Sequence, residues 1–171
     1  MELVRTLQVS AEVAAPPPRV WEVVSDVRRT SEWSPECRRV VPLGQVKEGT
    51  LLLGMNRREA VRWVTVSRVV RHAPPHEISW RVMTNGSVWT YRTESTTTGT
   101  LLVQTRATPH GIGAFARGFT RILLGGQQAH DDELEAGMRA GLQRIKQLAE
   151  HGQRSTSAAA ARDKQRLVGD H

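Results

Sequence analysis

The sequence is poor in the groups that usually announce chemistry. Cys37 is the only cysteine in 171 residues, so no disulfide can form within the chain, and a reducing, cytoplasmic setting is expected. A redox role for Cys37 beside Arg38 and Arg39 competes with a plain strand cysteine. Apolar runs are only a few residues long, far short of the roughly 20 that span a bilayer, so no stable membrane insertion is expected. The first residues, MELVRTLQVSAEV, alternate like a strand and carry no apolar signal core. His72, His76, His110 and His130 fall at turns or helix ends without a cysteine or carboxylate cluster to complete a metal site, and no cofactor is expected. There is no Gly-rich phosphate loop, nucleophile elbow, paired-carboxylate motif or internal repeat.

What is present is charge and tryptophan. A net charge of +7 and a pI near 10.9 raise the question of nucleic acid. The arginines are scattered, however, in pairs such as Arg28–Arg29 and Arg57–Arg58, with no helix-turn-helix, zinc-finger or RNP-like pattern, so no nucleic-acid partner is expected. With 39% hydrophobic residues and five Trp, one domain can bury a substantial core.

The periodicity places the elements. Leu3, Leu7, Val9, Ala11 and Val13 alternate as a first strand, stopped by Pro16-Pro17-Pro18, where Pro17 or Pro18 can open a helix. Val20, Val23, Val24 and Val27 make its apolar stripe, and a second short helical turn is predicted around Thr30–Trp33. Six strands follow at ten- to twelve-residue spacing, read near 38–43, 50–56, 62–71, 76–84, 88–95 and 101–107. Pro42 marks an edge strand, and Asn85-Gly86 marks a hairpin in which both positions tolerate positive φ. Phe115, Phe119 and Ile122/Leu123 predict a short amphipathic helix. After Gly125-Gly126, residues 127–150 read as one long helix, with Leu134, Met138, Leu142 and Ile145 on one face and acidic residues in its first turns. At about 30–35 Å it needs a surface of similar length, which the sheet supplies. Residues 152–171 lose the pattern and are expected to be a disordered tail, leaving 1–151 as the domain.

Over residues 5–150 the chain resembles the START-like, birch-pollen-allergen-like (SRPBCC) superfamily, and within it the bacterial polyketide cyclase/dehydrase branch. The match is carried by VSAEVAAPPPRVWEVVSDV, SEWSPE at 31–36, EGTLLLGMNRR at 48–58, RWVTVSRVV at 62–70, PPHEISWRV at 74–82, WTYRTE at 89–94, GTLLVQT at 99–105 and the long helix. The resemblance implies an α+β helix-grip fold. In it a curved seven-stranded antiparallel sheet wraps around the C-terminal helix, two short helices lie between strands 1 and 2, and sheet and helix enclose an apolar cavity. Gly54 then marks a bend or close approach in the sheet. Gly137 and Gly141, each costing roughly 1 kcal/mol relative to Ala in a helix, either leave room for a ligand or allow close packing.

Strand parity selects the candidate site. Ile78, Trp80 and Val82 point inward, as do Trp89 and Tyr91. In 62–71 the more apolar face is Val64, Val66 and Val70, whereas the resemblance turns Trp63, Thr65, Ser67 and Val69 inward. In the last strand Leu101, Val103 and Ala107 compete in the same way with Leu102, Gln104 and Arg106, and a one-residue slip exchanges the faces. Following the resemblance, the ligand-binding candidates are Trp33, Leu52, Gly54, Asn56, Trp63, Thr65, Trp80, Trp89, Gln104, Phe119, Met138 and Leu142. The catalytic candidates are Tyr91 as proton donor and Arg106 as oxyanion stabiliser, unless Arg106 pairs with a carboxylate. The segment Ile112–Leu124 is a candidate gate. The leading expectation is a binding protein for a small hydrophobic or aromatic, polyketide- or lipid-like molecule. A polyketide aromatase/cyclase or dehydratase using the same cavity is the alternative, and an interaction domain with a filled cavity is the third. The sequence carries no information on oligomeric state.

Overall fold

The computed structural model describes the backbone of residues 5–108 and 127–168, with side chains over 6–108 and 132–152. Strand β1 (Arg5–Val13) leads into helix α1 (Pro17–Ser25) and a 3-10 helix (Val27–Glu32). Strands β2 (Cys37–Pro42), β3 (Leu51–Arg58), β4 (Val61–Ala73), β5 (Glu77–Val82), β6 (Val88–Thr96) and β7 (Gly99–Thr108) follow, and then helix α2 (Gln127–Val168). The seven strands form one antiparallel sheet in the order β1-β7-β6-β5-β4-β3-β2. The meander therefore folds back so that its last strand pairs with the first, and Pro42 ends an edge strand, where its missing N–H costs no ladder bond. Register shifts at Cys37/Arg39 and Val69/Arg71 insert extra residues that bend the sheet.

The core forms where α2 and α1 meet the concave face. Met138, Leu142, Ile145 and Ala149, spaced four, three and four apart, are all buried on α2, and Val20, Val23 and Val24 are buried on α1. Each large apolar side chain so buried contributes about 1.5–3 kcal/mol. Polar clips fix the helix to the end of β1. The amide of Ala14 donates to Glu150 Oε1 at 2.8 Å, and Lys146 Nζ donates to the carbonyl of Glu12 at 2.6 Å. Helix α2 packs on β1 and α1, away from β3–β5, and so stands off from that part of the concave face.

Two expectations change, and the open choice of β4 parity is decided. The Asn85-Gly86 hairpin is a five-residue loop, Met83–Ser87, closed by Val82 N to Ser87 O at 2.8 Å. Only Gly86 takes positive φ (70°), while Asn85 Oδ1 accepts from the amide and hydroxyl of Ser87. In β4 the parity implied by the resemblance is the one observed: Val64 is 60% and Val66 39% exposed on the outer face while Ser67 and Val69 are buried. Helical backbone continues past Glu150 to Val168, where a disordered tail was expected.

Candidate functional site

A cavity of about 630 Å³ lies between the concave face of the sheet and α2. Register explains which side chains meet in it. Trp80, Trp89 and Arg106 occupy one row across β5, β6 and β7; Ile78, Tyr91 and Gln104 occupy the next. From β3 come Leu52, Gly54 and Asn56, from β4 Trp63 and Thr65, and from α2 Met138, all lining the same space. Trp33 enters from the end of the 3-10 helix. The resemblance-derived parities of β4 and β7 thus describe the observed faces.

Leu142 is a correction. It is 1% exposed, packs within the core cluster, and is not among the cavity-lining side chains. Four residues beyond Met138 it keeps the same helical face but lies about 6 Å further along the axis, within the core cluster. Phe119 and the candidate gate 112–124 lie outside the described residues. Sequence reasoning did not select Ser67 and Ser87, which also line the cavity. For Ser67 the alternation with Thr65 was the available signal.

The glycines have identifiable neighbours. A Cβ at Gly54 would sit 2.5 Å from Thr65 Oγ1, so glycine there leaves the Thr65 hydroxyl its place. That hydroxyl accepts from Asn56 Nδ2 at 3.2 Å. Gly141 lets the carbonyl of Trp33 approach α2, since a Cβ would be 3.3 Å from it. A Cβ at Gly137 would meet only Pro35 Cγ, at an ordinary 3.5 Å. Close packing therefore explains Gly141, and room in the chamber remains the role proposed for Gly137.

The polar centre is a buried trio. Tyr91 Oη accepts from Trp33 Nε1 at 3.3 Å and from Gln104 Nε2 at 2.8 Å. Burial pushes the Tyr91 phenol far above its ordinary range, and the two donated hydrogen bonds only partly oppose this. The group is a proton donor at neutral pH, not a base. Arg106 lies over the Trp89 ring at 5.7 Å, a cation–π contact. Trp80 and Tyr91 rings are tilted at 5.7 Å. Burial also raises the Cys37 thiol, which keeps thiolate scarce and favours the plain strand cysteine over a redox group. At one rim Arg58 pairs with Glu133 of α2 and, at 3.8 Å, with Glu36, tying the end of β3 to the helix. Among the described residues no three His, Cys, Asp or Glu side chains gather as a metal site, and no helix is long and apolar enough to cross a membrane.

A curved antiparallel sheet closed by one long helix over a tryptophan-lined chamber is the helix-grip arrangement of START-like domains. The chain matches the family described as polyketide cyclase / dehydrase and lipid transport over residues 5–150, and it belongs to that family. Similar solved structures include a polyketide-cyclase-like protein from Corynebacterium glutamicum, at 26% identity over 88% of this chain and 94% of that one, TM-score 0.59. Another is the Zhui aromatase/cyclase from Streptomyces sp. R1128, at 20% identity, 86% and 94% coverage, TM-score 0.67. The di-domain ARO/CYC StfQ from the steffimycin biosynthetic pathway aligns at 17% identity and TM-score 0.65, over 87% of this chain and 51% of that one. This chain thus corresponds to about half of the di-domain protein, and the last two likenesses speak for the fold alone. No curated protein matches the chain.

Proposed function

We propose that the chain binds a small hydrophobic or aromatic molecule, polyketide- or lipid-like, in the cavity between sheet and α2. The carrying observation is the chamber itself. Its volume of about 630 Å³ falls among ordinary small-molecule sites, and its walls combine four tryptophans with a few fixed polar tips. Trp63, Trp80 and Trp89 offer flat apolar faces to a ring system. Membership in a family named for polyketide cyclisation and lipid transport supports the ligand class. A cytoplasmic protein with no nucleic-acid partner completes this reading; the buried free thiol of Cys37 is consistent with it.

The second reading is an aromatase/cyclase or dehydratase, favoured by the state of Tyr91. Its lone pairs are engaged by Trp33 and Gln104 in this amide orientation, which leaves its proton to serve a ligand oxygen. Arg106, held over Trp89, would stabilise an enolate oxygen. Cyclisation also needs a base. Of the lining carboxylates, Glu36 and Glu133 are engaged by Arg58, Glu59 sits exposed in the turn after β3, and no histidine lines the cavity among the described residues. Binding is therefore the first claim.

Native mass spectrometry of purified full-length protein tests it. A retained apolar mass, released by denaturation, is expected; protein that is empty and binds no member of an aromatic panel would overturn the proposal. For the enzymatic reading, Tyr91→Phe and Arg106→Ala should each abolish turnover of a poly-ketone substrate while the fold persists, and unchanged turnover removes those roles.

A further inference from the structure

We propose that the Tyr91–Gln104 pair is a subsite for a ligand hydroxyl, so that the ligand class is neutral hydroxylated aromatics, phenols or enols, rather than plain hydrocarbons or ethers. The inference rests on the binding reading above and names the group that reading leaves open.

Tyr91 and Gln104 stand opposite each other in the β6–β7 ladder, and each is 4% exposed. A phenol oxygen has two acceptor positions and one proton, and a primary amide has two N–H donors and an acceptor oxygen. Trp33 Nε1 and Gln104 Nε2 fill both acceptor positions of Tyr91, which leaves the phenolic proton to be donated. Gln104 Oε1 is buried and has no hydrogen-bond partner. Two bonded neighbours, both lining the cavity, thus leave two donors, the phenolic proton and the second Nε2 N–H, and one acceptor, Oε1, unfilled.

Turning the amide over does not change the requirement. Tyr91 would then donate to Oε1, leaving one Tyr91 lone pair and both Nε2 N–H donors unfilled, again one acceptor and two donors. A ligand that completes the site must therefore both accept and donate over a short distance. An ether or ketone oxygen only accepts, and a hydrocarbon does neither. A hydroxyl does both from one atom and closes a ring of hydrogen bonds through Tyr91 and the Gln104 amide. The next row of the sheet carries Trp80 and Trp89, which places aromatic faces beside the subsite for the body of such a ligand. The Tyr91 proton is retained through burial, so the site presents a neutral donor.

One water molecule would satisfy the same count, and the experiment separates the two. Calorimetric titration of the full chain at neutral pH with β-naphthol, its methyl ether and naphthalene reads the preference directly. β-Naphthol is expected to bind on the order of tenfold tighter than the ether, the size of effect that buried neutral hydrogen bonds give. In Gln104→Leu that preference should vanish while naphthalene binding persists. Should Gln104→Leu fail to fold by circular dichroism, Tyr91→Phe provides the same readout. Equal affinity of wild type for β-naphthol and its ether, as a permanently bound water would give, overturns the subsite and leaves the cavity reading standing. Retention of the preference in Gln104→Leu and Tyr91→Phe also overturns it. Binding of none of the three probes overturns both.

Discussion

Tyr91 is the only tyrosine in the chain, which makes its ionisation directly observable. The perturbation is a rise in pH from neutral to 12. In water a tyrosine ionises near pH 10. In the folded protein Tyr91 is 4% exposed and its phenol is pushed far higher by burial, so the folded chain keeps a proton that the unfolded chain loses. The sign follows: above pH 10 the unfolded state binds fewer protons, and stability must fall as pH rises. The slope for one such group is about 1.4 kcal/mol per pH unit until the folded-state value is reached. Arginine stays charged in this range, but the buried Cys37 thiol, also raised, and the three lysines, Lys47, Lys146 and Lys164, titrate there too, so the comparison with Tyr91→Phe isolates the Tyr91 slope. The near-ultraviolet absorbance of tyrosinate should therefore stay flat through pH 10 and 11 in native protein and appear with unfolding. Tyr91→Phe should be less stable at pH 7 by about 1–3 kcal/mol, because Trp33 Nε1 and Gln104 Nε2 lose a buried acceptor. Urea denaturation should show that deficit shrinking by about 1.4 kcal/mol per unit above pH 10. Tyrosinate absorbance rising around pH 10 in protein that is still folded would refute the buried trio, and with it the subsite built on it.

Three substitutions on α2 separate core from chamber. Gly137→Ala adds a methyl that meets only Pro35 at 3.5 Å, so helix propensity should dominate and stabilise the protein by about 0.5–1 kcal/mol. Thermal melting should rise by roughly 1–4 °C, and a fall would show that the site is tighter than described. Leu142→Ala should cost about 2–5 kcal/mol while leaving affinity for an aromatic probe unchanged, because Leu142 is core and not cavity wall. Met138→Ala should weaken probe binding as well as stability; equal effects on affinity from the two would show the division of this face of α2 into cavity wall and core to be wrong.

The long helix and the strands were legible because burial on one face imposes a period. Met138, Leu142 and Ile145 recur at helical spacing and are buried, as are Val9, Ala11 and Val13 at strand spacing. Parity in β4 was not legible from hydrophobicity, because a chamber wall reverses the usual preference. Thr65 and Ser67 face inward while Val64 and Val66 face out. The tight turn at Glu59–Ala60 contains neither glycine nor asparagine, although Glu59 takes φ of 51°, so residue type did not define its form. Asn85 signalled a hairpin for a different reason from the one expected, capping Ser87 instead of adopting positive φ. The site's polar centre joins residues 58 and 13 positions apart, and the Arg58–Glu133 pair spans 75. No local pattern contains those partners. They come together only once the sheet's register is set, which is why fold similarity carried the candidate residues further than composition did.

The central claim is that the space between sheet and α2 is a ligand chamber. A crystal of the protein soaked with bromonaphthalene tests this most directly, since anomalous scattering locates the bromine without reference to any assumed pose. The account predicts a bromine peak inside the cavity among Trp63, Trp89 and Met138. Bromine found only on the outer surface, or a cavity filled by the protein's own side chains, would contradict it.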